Sequence, residues 1–197
     1  MVRLSVPLVL ASGSPRRRRL LRSLGLPFEV HVSGHPEDFP TDVPPGDAVA
    51  RLALEKAQLV APAHPEALIL AADTTVVLDG RVLEKPTDAD DAKRMLRDLS
   101  GATHTVYTGV ALHHLASQRT VHTAEATQVT FGTLSDAEID AYVATGSPLD
   151  KAGAYGIQDD HGPLFVERIE GDFYNVVGLP LRRVYRLLRE HFGDLLV

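Results

Sequence analysis

One segment constrains the fold more than any other: Leu10-Ala-Ser-Gly-Ser-Pro-Arg-Arg-Arg-Arg-Leu-Leu21, which reads as strand, tight polar turn, then helix. Ser14 stands where an N-cap belongs, and Pro15 suits the first helical position because its missing N–H is an orphan there anyway. Gly25 is placed to end the helix, and Leu20, Leu21 and Leu24 supply its apolar face. The charge runs against helix physics. Arg16 and Arg17 fall in the first turn, at the positive end of the dipole, where a cation costs a few tenths to about 1 kcal/mol. Unpaired backbone N–H groups of the turn point the same way. An anion resolves the conflict, and an arginine fork suits phosphate oxygens. Four consecutive arginines cannot share one face, so Arg18 and Arg19 read as solvated. The Gly-x4-Gly-Lys-Ser/Thr pattern of a P-loop is missing.

The 197 residues and 44% hydrophobic content suit one domain spanning 1–197, built as a single body or as two lobes. A net charge of −6 argues against stable nucleic-acid binding and makes the arginine cluster a local feature of an acidic protein. The chain has no cysteine, which excludes disulfides and cysteine-ligated metal and points to the cytoplasm. No apolar run approaches about 18 residues, so no transmembrane helix is expected. The first eleven residues lack the pattern of a signal peptide.

Strands are predicted over 6–11, 28–32 and 67–72, the last a continuous apolar run. Asp79-Gly80 between 75–78 and 81–83 is a short hairpin signal. Residues 103–113 and 120–131 are two longer strands that look antiparallel, and 164–169 is another. Helical spacing covers 46–61, and Thr87 caps a helix over 88–99. Ser135-Asp-Ala-Glu138 is a capping box, and an amphipathic helix fills 180–192. Segments 33–45, 150–162 and 170–178 read as loops. Interleaved helices and strands, with two long antiparallel strands among them, predict an α/β fold: a mixed twisted sheet flanked by helices.

Six places could carry chemistry. Ser12, Gly13, Ser14, Arg16 and Arg17 form the anion-binding turn. Asp73 ends the buried run, at the strand edge where open α/β sheets hold their ligands. It is either a capping aspartate or a carboxylate that binds Mg²⁺ or Mn²⁺ or orients a water. Lys56 follows Val49, Leu52 and Ala53 on the apolar side of its helix; it is either a snorkelling lysine or a cation reaching into a cleft. Lys85, stiffened by Pro86, is weak evidence alone. Glu37, Asp38 and Asp42 are acidic residues of a proline-rich loop, one of which could complete a metal site with Asp73. In Asp150-Lys-Ala-Gly-Ala-Tyr-Gly-Ile-Gln158, the Gln158 amide is suited to reading a base edge. The nine histidines show no metal-ligand spacing and read as structural or surface residues.

Taken in order, these segments resemble the Maf family of nucleoside-triphosphate pyrophosphatases, also known as septum-formation-inhibitor-like proteins. The matching pieces are Ala11-Ser-Gly-Ser-Pro-Arg-Arg17, Arg51-Leu-Ala-Leu-Glu-Lys56, Ala72-Asp-Thr74, Lys85-Pro86, Leu99-Ser-Gly101 with Thr108-Gly109, Pro148 through Gln158, and Glu170-Gly-Asp172 with Val176-Val-Gly-Leu-Pro180. Each is weak alone; the ordered set covers almost the whole chain. The resemblance implies two lobes around a central cleft, similar to the inosine-triphosphate pyrophosphatases. It implies metal-assisted hydrolysis of a nucleoside triphosphate to monophosphate and pyrophosphate. Asp73 would be the proton acceptor or metal-bound carboxylate, Glu37 a second metal ligand, and Ser12, Arg17, Lys56 and Lys85 the phosphate holders. Arg16, Thr74 and Gln158 match the branch that prefers dTTP and UTP over 7-methyl-GTP. Glu37 is preceded by Pro36, a departure from the family pattern. A homodimer is compatible on family grounds. The rival reading is a non-catalytic nucleotide-binding regulator of cell division.

Overall fold

The computed structural model describes residues 3–36, 39–159 and 161–197. In chain order its elements are β1 (Leu8–Leu10), α1 (Pro15–Ser23), β2 (Glu29–Val30), α2 (Pro45–Val60), β3 (Leu68–Leu78), β4 (Arg81–Leu83), α3 (Ala89–Leu99), β5 (Thr103–His114), β6 (Arg119–Phe131), α4 (Asp136–Ala144), α5 (Gly162–Phe165), β7 (Val166–Glu170), α6 (Phe173–Val177) and α7 (Leu181–His191). Seven strands form one sheet in the order β2-β1-β3-β5-β6-β7, with β4 paired to β3. β1 lies parallel to β2 and β3, whereas β3–β4 and β6–β7 are antiparallel. This is the mixed sheet with helices that the interleaved pattern predicts. No helix among the described residues is long and apolar enough to cross a membrane.

The chain divides into two compact units, one of Met1–Asp73, Thr108–Glu125 and Gly178–Val197, the other of Thr74–Tyr107 and Ala126–Val177. In the first unit the period-2 rule of a strand assigns every core residue to a face. Leu8, Leu10, Leu68, Leu70, Val110 and Leu112 point to one side, where Leu21 of α1 and Val184, Leu187 and Leu188 of α7 cover them. Val9, Ile69, Ala71 and Ala111 point to the other, against Ala53, Ala57 and Val60 of α2. Coverage on both faces is why 67–72 reads as an unbroken apolar run. Each leucine so buried contributes about 2 kcal/mol from removal of its surface from water. Gly109 belongs to the α2 side of β5. A Cβ there would overlap the carbonyl of Val49 in α2, so the helix backbone lies directly on the strand.

In the second unit the Asp79-Gly80 hairpin forms as predicted, with Val76↔Leu83, Val77↔Val82 and Leu78↔Arg81 in register. Both turn residues have positive φ, 49° and 76°, as a type I′ turn requires. The capping box of α4 is present in both directions: Ser135 caps Glu138, and Glu138 bonds back to Ser135. α3 packs on α4. His104, Phe131 and Tyr155 meet edge-on, as do Tyr142 and Phe165, and a tilted Phe131–Phe165 contact joins the two groups.

His104 is buried in this cluster, with Nε2 2.7 Å from the Tyr155 hydroxyl and no partner for Nδ1. Burial pushes its pKa down from 6.5 to about 4 and raises that of the Tyr155 phenol. Below pH 6.5 the unfolded chain gains a proton that folded His104 refuses, so stability falls as pH falls and the loss stops near pH 4. The expected loss from His104 between pH 7 and pH 5 is roughly 2 kcal/mol. Burial and the neighbouring His114 hold His113 low as well, with the same sign. Urea unfolding at both pH values checks this. The His104→Gln variant should show a flatter dependence, and an unchanged one would refute the assignment.

Several boundaries differ from the sequence reading. β3 does not stop at Ala72 but runs on through Asp73 to Leu78, because Thr74, Thr75, Val76 and Val77 are β-branched and β4 pairs with their far end. The cap of α3 is Asp88, whose carboxylate accepts the Asp91 N–H at 2.8 Å, rather than Thr87, whose own N–H goes to the Asp91 side chain. The strand predicted over 164–169 begins at Val166. Gly162 to Phe165 instead close a helical turn that Pro163 pre-sets at its start. The 170–178 loop contains α6, whose first turn is tied by the Asp172 carboxylate to the Tyr174 N–H at 2.7 Å.

Candidate active site

The alternation that builds the core also brings chemistry together. Leu10 is level with Leu70, and the Ala11 N–H donates to the Leu70 carbonyl at 2.8 Å, so β1 and β3 end and continue side by side. Ser12 leaves β1 just beyond that point, and Asp73 follows three residues after Leu70 on β3. Ile69, Ala71 and Asp73 share the face covered by α2. Along α2, Val49, Leu52, Ala53 and Lys56 share one side of the helix. Lys56 Nζ therefore meets Asp73 Oδ1, at 2.5 Å, with the two side chains only 13% and 17% exposed. The lysine is not merely snorkelling: its ammonium turns inward to a carboxylate.

On the α1 side the predicted anion turn is organised around Arg17. The Ser12 hydroxyl accepts from the Ser14 N–H at 3.3 Å and from Arg17 Nη1 at 3.2 Å. Arg17 Nε donates to the carbonyl of Gly178 at 2.8 Å, and the Ser14 hydroxyl caps α1 by accepting the Arg17 N–H at 3.4 Å. Two fixed acceptors thus aim the Arg17 guanidinium, and Ser14 is engaged as the cap that the sequence predicts. Arg16 is half-buried beside it. No acidic residue occupies the first turn of α1. α1 and α2 cover opposite faces of the sheet: Arg17 is held just past the end of β1, and Lys56 meets Asp73 in the middle of the neighbouring β3.

Thr74, Lys85 and Gln158 belong to the second unit. Thr74 follows Asp73 on the opposite face of β3 and is half-buried. Lys85 lies two residues past β4, exposed and held by the buried Pro86. Gln158 ends a loop stiffened by Gly153 and Ala154, both with positive φ. Its Nε2 is buried and has no hydrogen-bond partner. A buried amide donor without an acceptor costs about 1–3 kcal/mol, which a ligand carbonyl would recover. Glu37 lies outside the described residues. Among the described residues, no group of three or more histidine and acidic side chains is gathered as a protein-only metal cage.

Three contributors escape a reading of residue types. The Gly178 carbonyl, which orients Arg17, is a backbone group 161 positions away. Gly109 seats α2, and with it Lys56, yet a lone glycine in a strand carries no pattern. Lys151 is buried beneath the Gln158 loop, whereas a lysine between aspartate and alanine reads as surface.

A family model described as Maf-like protein matches residues 7–191. A dTTP/UTP pyrophosphatase of Salinibacter ruber is 59% identical over 196 residues, covering 100% of this chain and 96% of the relative. A dTTP/UTP pyrophosphatase of Bacillus cytotoxicus is 53% identical over 182 residues, covering 92% of this chain and 94% of that one. Among solved structures, the Staphylococcus aureus Ham1 protein aligns with a TM-score of 0.45 and 10% identity, over 64% of this chain and 71% of its own.

Proposed function

The chain belongs to the Maf-like protein family, and from that premise we propose that it hydrolyses dTTP and UTP to the nucleoside monophosphate and pyrophosphate. The observation that carries this reading is the Lys56–Asp73 pair at 2.5 Å, on the strand beside the Ser12–Arg17 turn. A bare carboxylate beside a triphosphate repels it, so binding alone does not call for one held by Lys56, whereas hydrolysis uses one to take the proton of water.

In this reading Ser12, Arg17, Lys56 and Lys85 hold the phosphate oxygens. Lys56 occupies Oδ1 of Asp73, and Oδ2 accepts the proton of the attacking water. The water oxygen bonds to the α-phosphorus while the bond to the bridging oxygen breaks, and pyrophosphate departs against the fixed cations. Positioning and charge do most of the work. Mg²⁺ or Mn²⁺ suits the donor set: such ions take one or two carboxylates and fill their shell with phosphate oxygens and water rather than with an all-protein cage. Asp73 would hold the ion, with Glu37 as the second carboxylate, and the ion would neutralise phosphate charge. The Gln158 amide donates to a uracil or thymine carbonyl and accepts from the ring N–H. Arg16 and Thr74 complete the discrimination, and a cationic methylated guanine is disfavoured beside Arg16. The cytoplasm, where nucleotides are held, is the compartment we assign to this cysteine-free chain.

Product analysis with Mg²⁺ or Mn²⁺ and a panel of dTTP, UTP, CTP, ITP and 7-methyl-GTP tests the reading. Monophosphate and pyrophosphate from dTTP and UTP are expected. Preferred turnover of 7-methyl-GTP would overturn the roles of Arg16, Thr74 and Gln158. Nucleotide binding without turnover of any substrate would transfer the chain to the regulator class.

A further inference from the structure

The second unit contains a buried cation that the proposed reaction does not use. Lys151 is 7% exposed at its side chain, yet its ammonium is fully engaged. It donates to the Ser147 carbonyl at 2.5 Å, to Asp150 Oδ1 at 2.7 Å and to the Ser147 hydroxyl at 3.2 Å. It also pairs with Asp159 Oδ2 at 3.3 Å. Ser147 and Asp150 stand before Lys151, whereas Asp159 comes directly after Gln158. One ammonium therefore ties the beginning of the 147–159 segment to its end.

The rest of the segment is built around that tie. A Cβ on Gly156 would lie 2.7 Å from Lys151 Cε and 2.7 Å from Asp159 Oδ2, so a larger residue there would displace the lysine stem or the carboxylate it holds. The Gly156 N–H is held from the other side by the Tyr142 hydroxyl at 3.0 Å. Gly153 turns at φ 70° and Ala154 at φ 59°, the latter a left-handed conformation that a non-glycine residue keeps only when its surroundings impose it. The residue delivered by this construction is Gln158, with its buried, unpartnered Nε2.

We propose that Lys151 is a positioning residue for base selection: it clamps Asp159 and thereby fixes the place at which the adjoining Gln158 presents its amide. The proposal rests on the reading of Gln158 as the base-contacting residue. A carboxamide presents a donor at one end and an acceptor at the other, and a half-turn exchanges them. One orientation matches the N–H and carbonyl of uracil or thymine. The reversed one matches the ring nitrogen and amino group of cytosine. A freely turning glutamine would accept both bases, so discrimination requires an amide held one way round. A preformed clamp on the adjoining Asp159 keeps Gln158 where its Nε2 is the buried end, without ordering the loop at each binding event.

A double-mutant cycle on the full chain, read as kcat/KM for dTTP and dCTP, tests it. Gln158→Ala should collapse the dTTP-over-dCTP preference to within a few-fold of unity. Lys151→Met should lower the preference about tenfold or more, mainly through KM for dTTP, and Lys151→Arg should restore part of it. Asp159→Asn weakens only the last link of the clamp and leaves the other Lys151 partners in place. It should lower the preference in the same sense, and it serves if Lys151→Met does not fold. In the Gln158→Ala background neither change should alter the preference further. A Lys151→Met or Asp159→Asn protein that loses dTTP and dCTP turnover equally would overturn the clamp, as would full additivity with Gln158→Ala. If Gln158→Ala itself leaves the preference intact, the base-reading role falls first, and the clamp with it.

Discussion

Asp73→Asn is expected to lower kcat for dTTP by about 10²–10⁴-fold, the range a positioned general base contributes, while KM changes little. The side chain keeps its size, and its Oδ1 still accepts from Lys56 Nζ, so the local structure should persist. What disappears is the capacity to take a proton, together with the charge that faces Lys56 and would hold the metal, so the kinetics are read at saturating Mg²⁺ or Mn²⁺. Steady-state kinetics paired with a thermal unfolding curve separates the two. A large fall in kcat with an unfolding midpoint close to that of the parent supports the role of Asp73 as proton acceptor. Near-normal turnover with an unchanged KM would remove it. The pair also predicts non-additivity: once Asp73 is asparagine, Lys56→Met should cost less than it does in the parent, because the two side chains act as a unit.

The largest effect on the fold is expected from Gly109→Ala. The new methyl would overlap the Val49 carbonyl and crowd the Val49 and Ala50 backbone, which cannot rotate away as a side chain could. Overpacking costs typically 1–3 kcal/mol, and a backbone clash sits at or above the top of that range. For a chain of this size about 3 kcal/mol corresponds to a midpoint lowered by roughly 10 °C. Relief comes only by moving α2 off the sheet, and that helix carries Lys56. Activity should therefore fall further than the unfolded fraction explains at a temperature where the variant is still folded. A variant with an unchanged midpoint would show that the close approach is not rigid.

Local chemistry is legible without a structure wherever one or two turns decide the outcome. The α1 cap at Ser14, the Asp79-Gly80 turn and the Ser135 capping box depend on contacts within three or four residues, and all three form. The strand in 67–72 is equally legible, since burial on both faces leaves an unbroken apolar run. Its end is not. Thr74 and Thr75 look like a polar exit from the core, yet the strand runs through them to Val76–Leu78, which pair with β4. The segment 164–169 fails for the converse reason: its apolar residues suit a strand, but Gly162-Pro163 commits the backbone to a helical turn first.

For the site, the chain by itself determined the charged residue types and their periodicity. An arginine pair lies at the start of a helix, a lysine on the apolar side of another, and an aspartate at the end of a buried run. These follow from short-range rules of capping, dipole and spacing, which are written in neighbouring letters. Only the tertiary structure decided that Lys56 meets Asp73, because that contact needs α2 laid on β3 at a height set by Gly109 and Val49, residues remote in the chain. The aim of Arg17 likewise depends on the Gly178 carbonyl, and the setting of Gln158 on a buried Lys151. A backbone carbonyl and a desolvated ammonium leave no periodic trace. Their effect arises from distance and burial, and those exist only once the chain has folded.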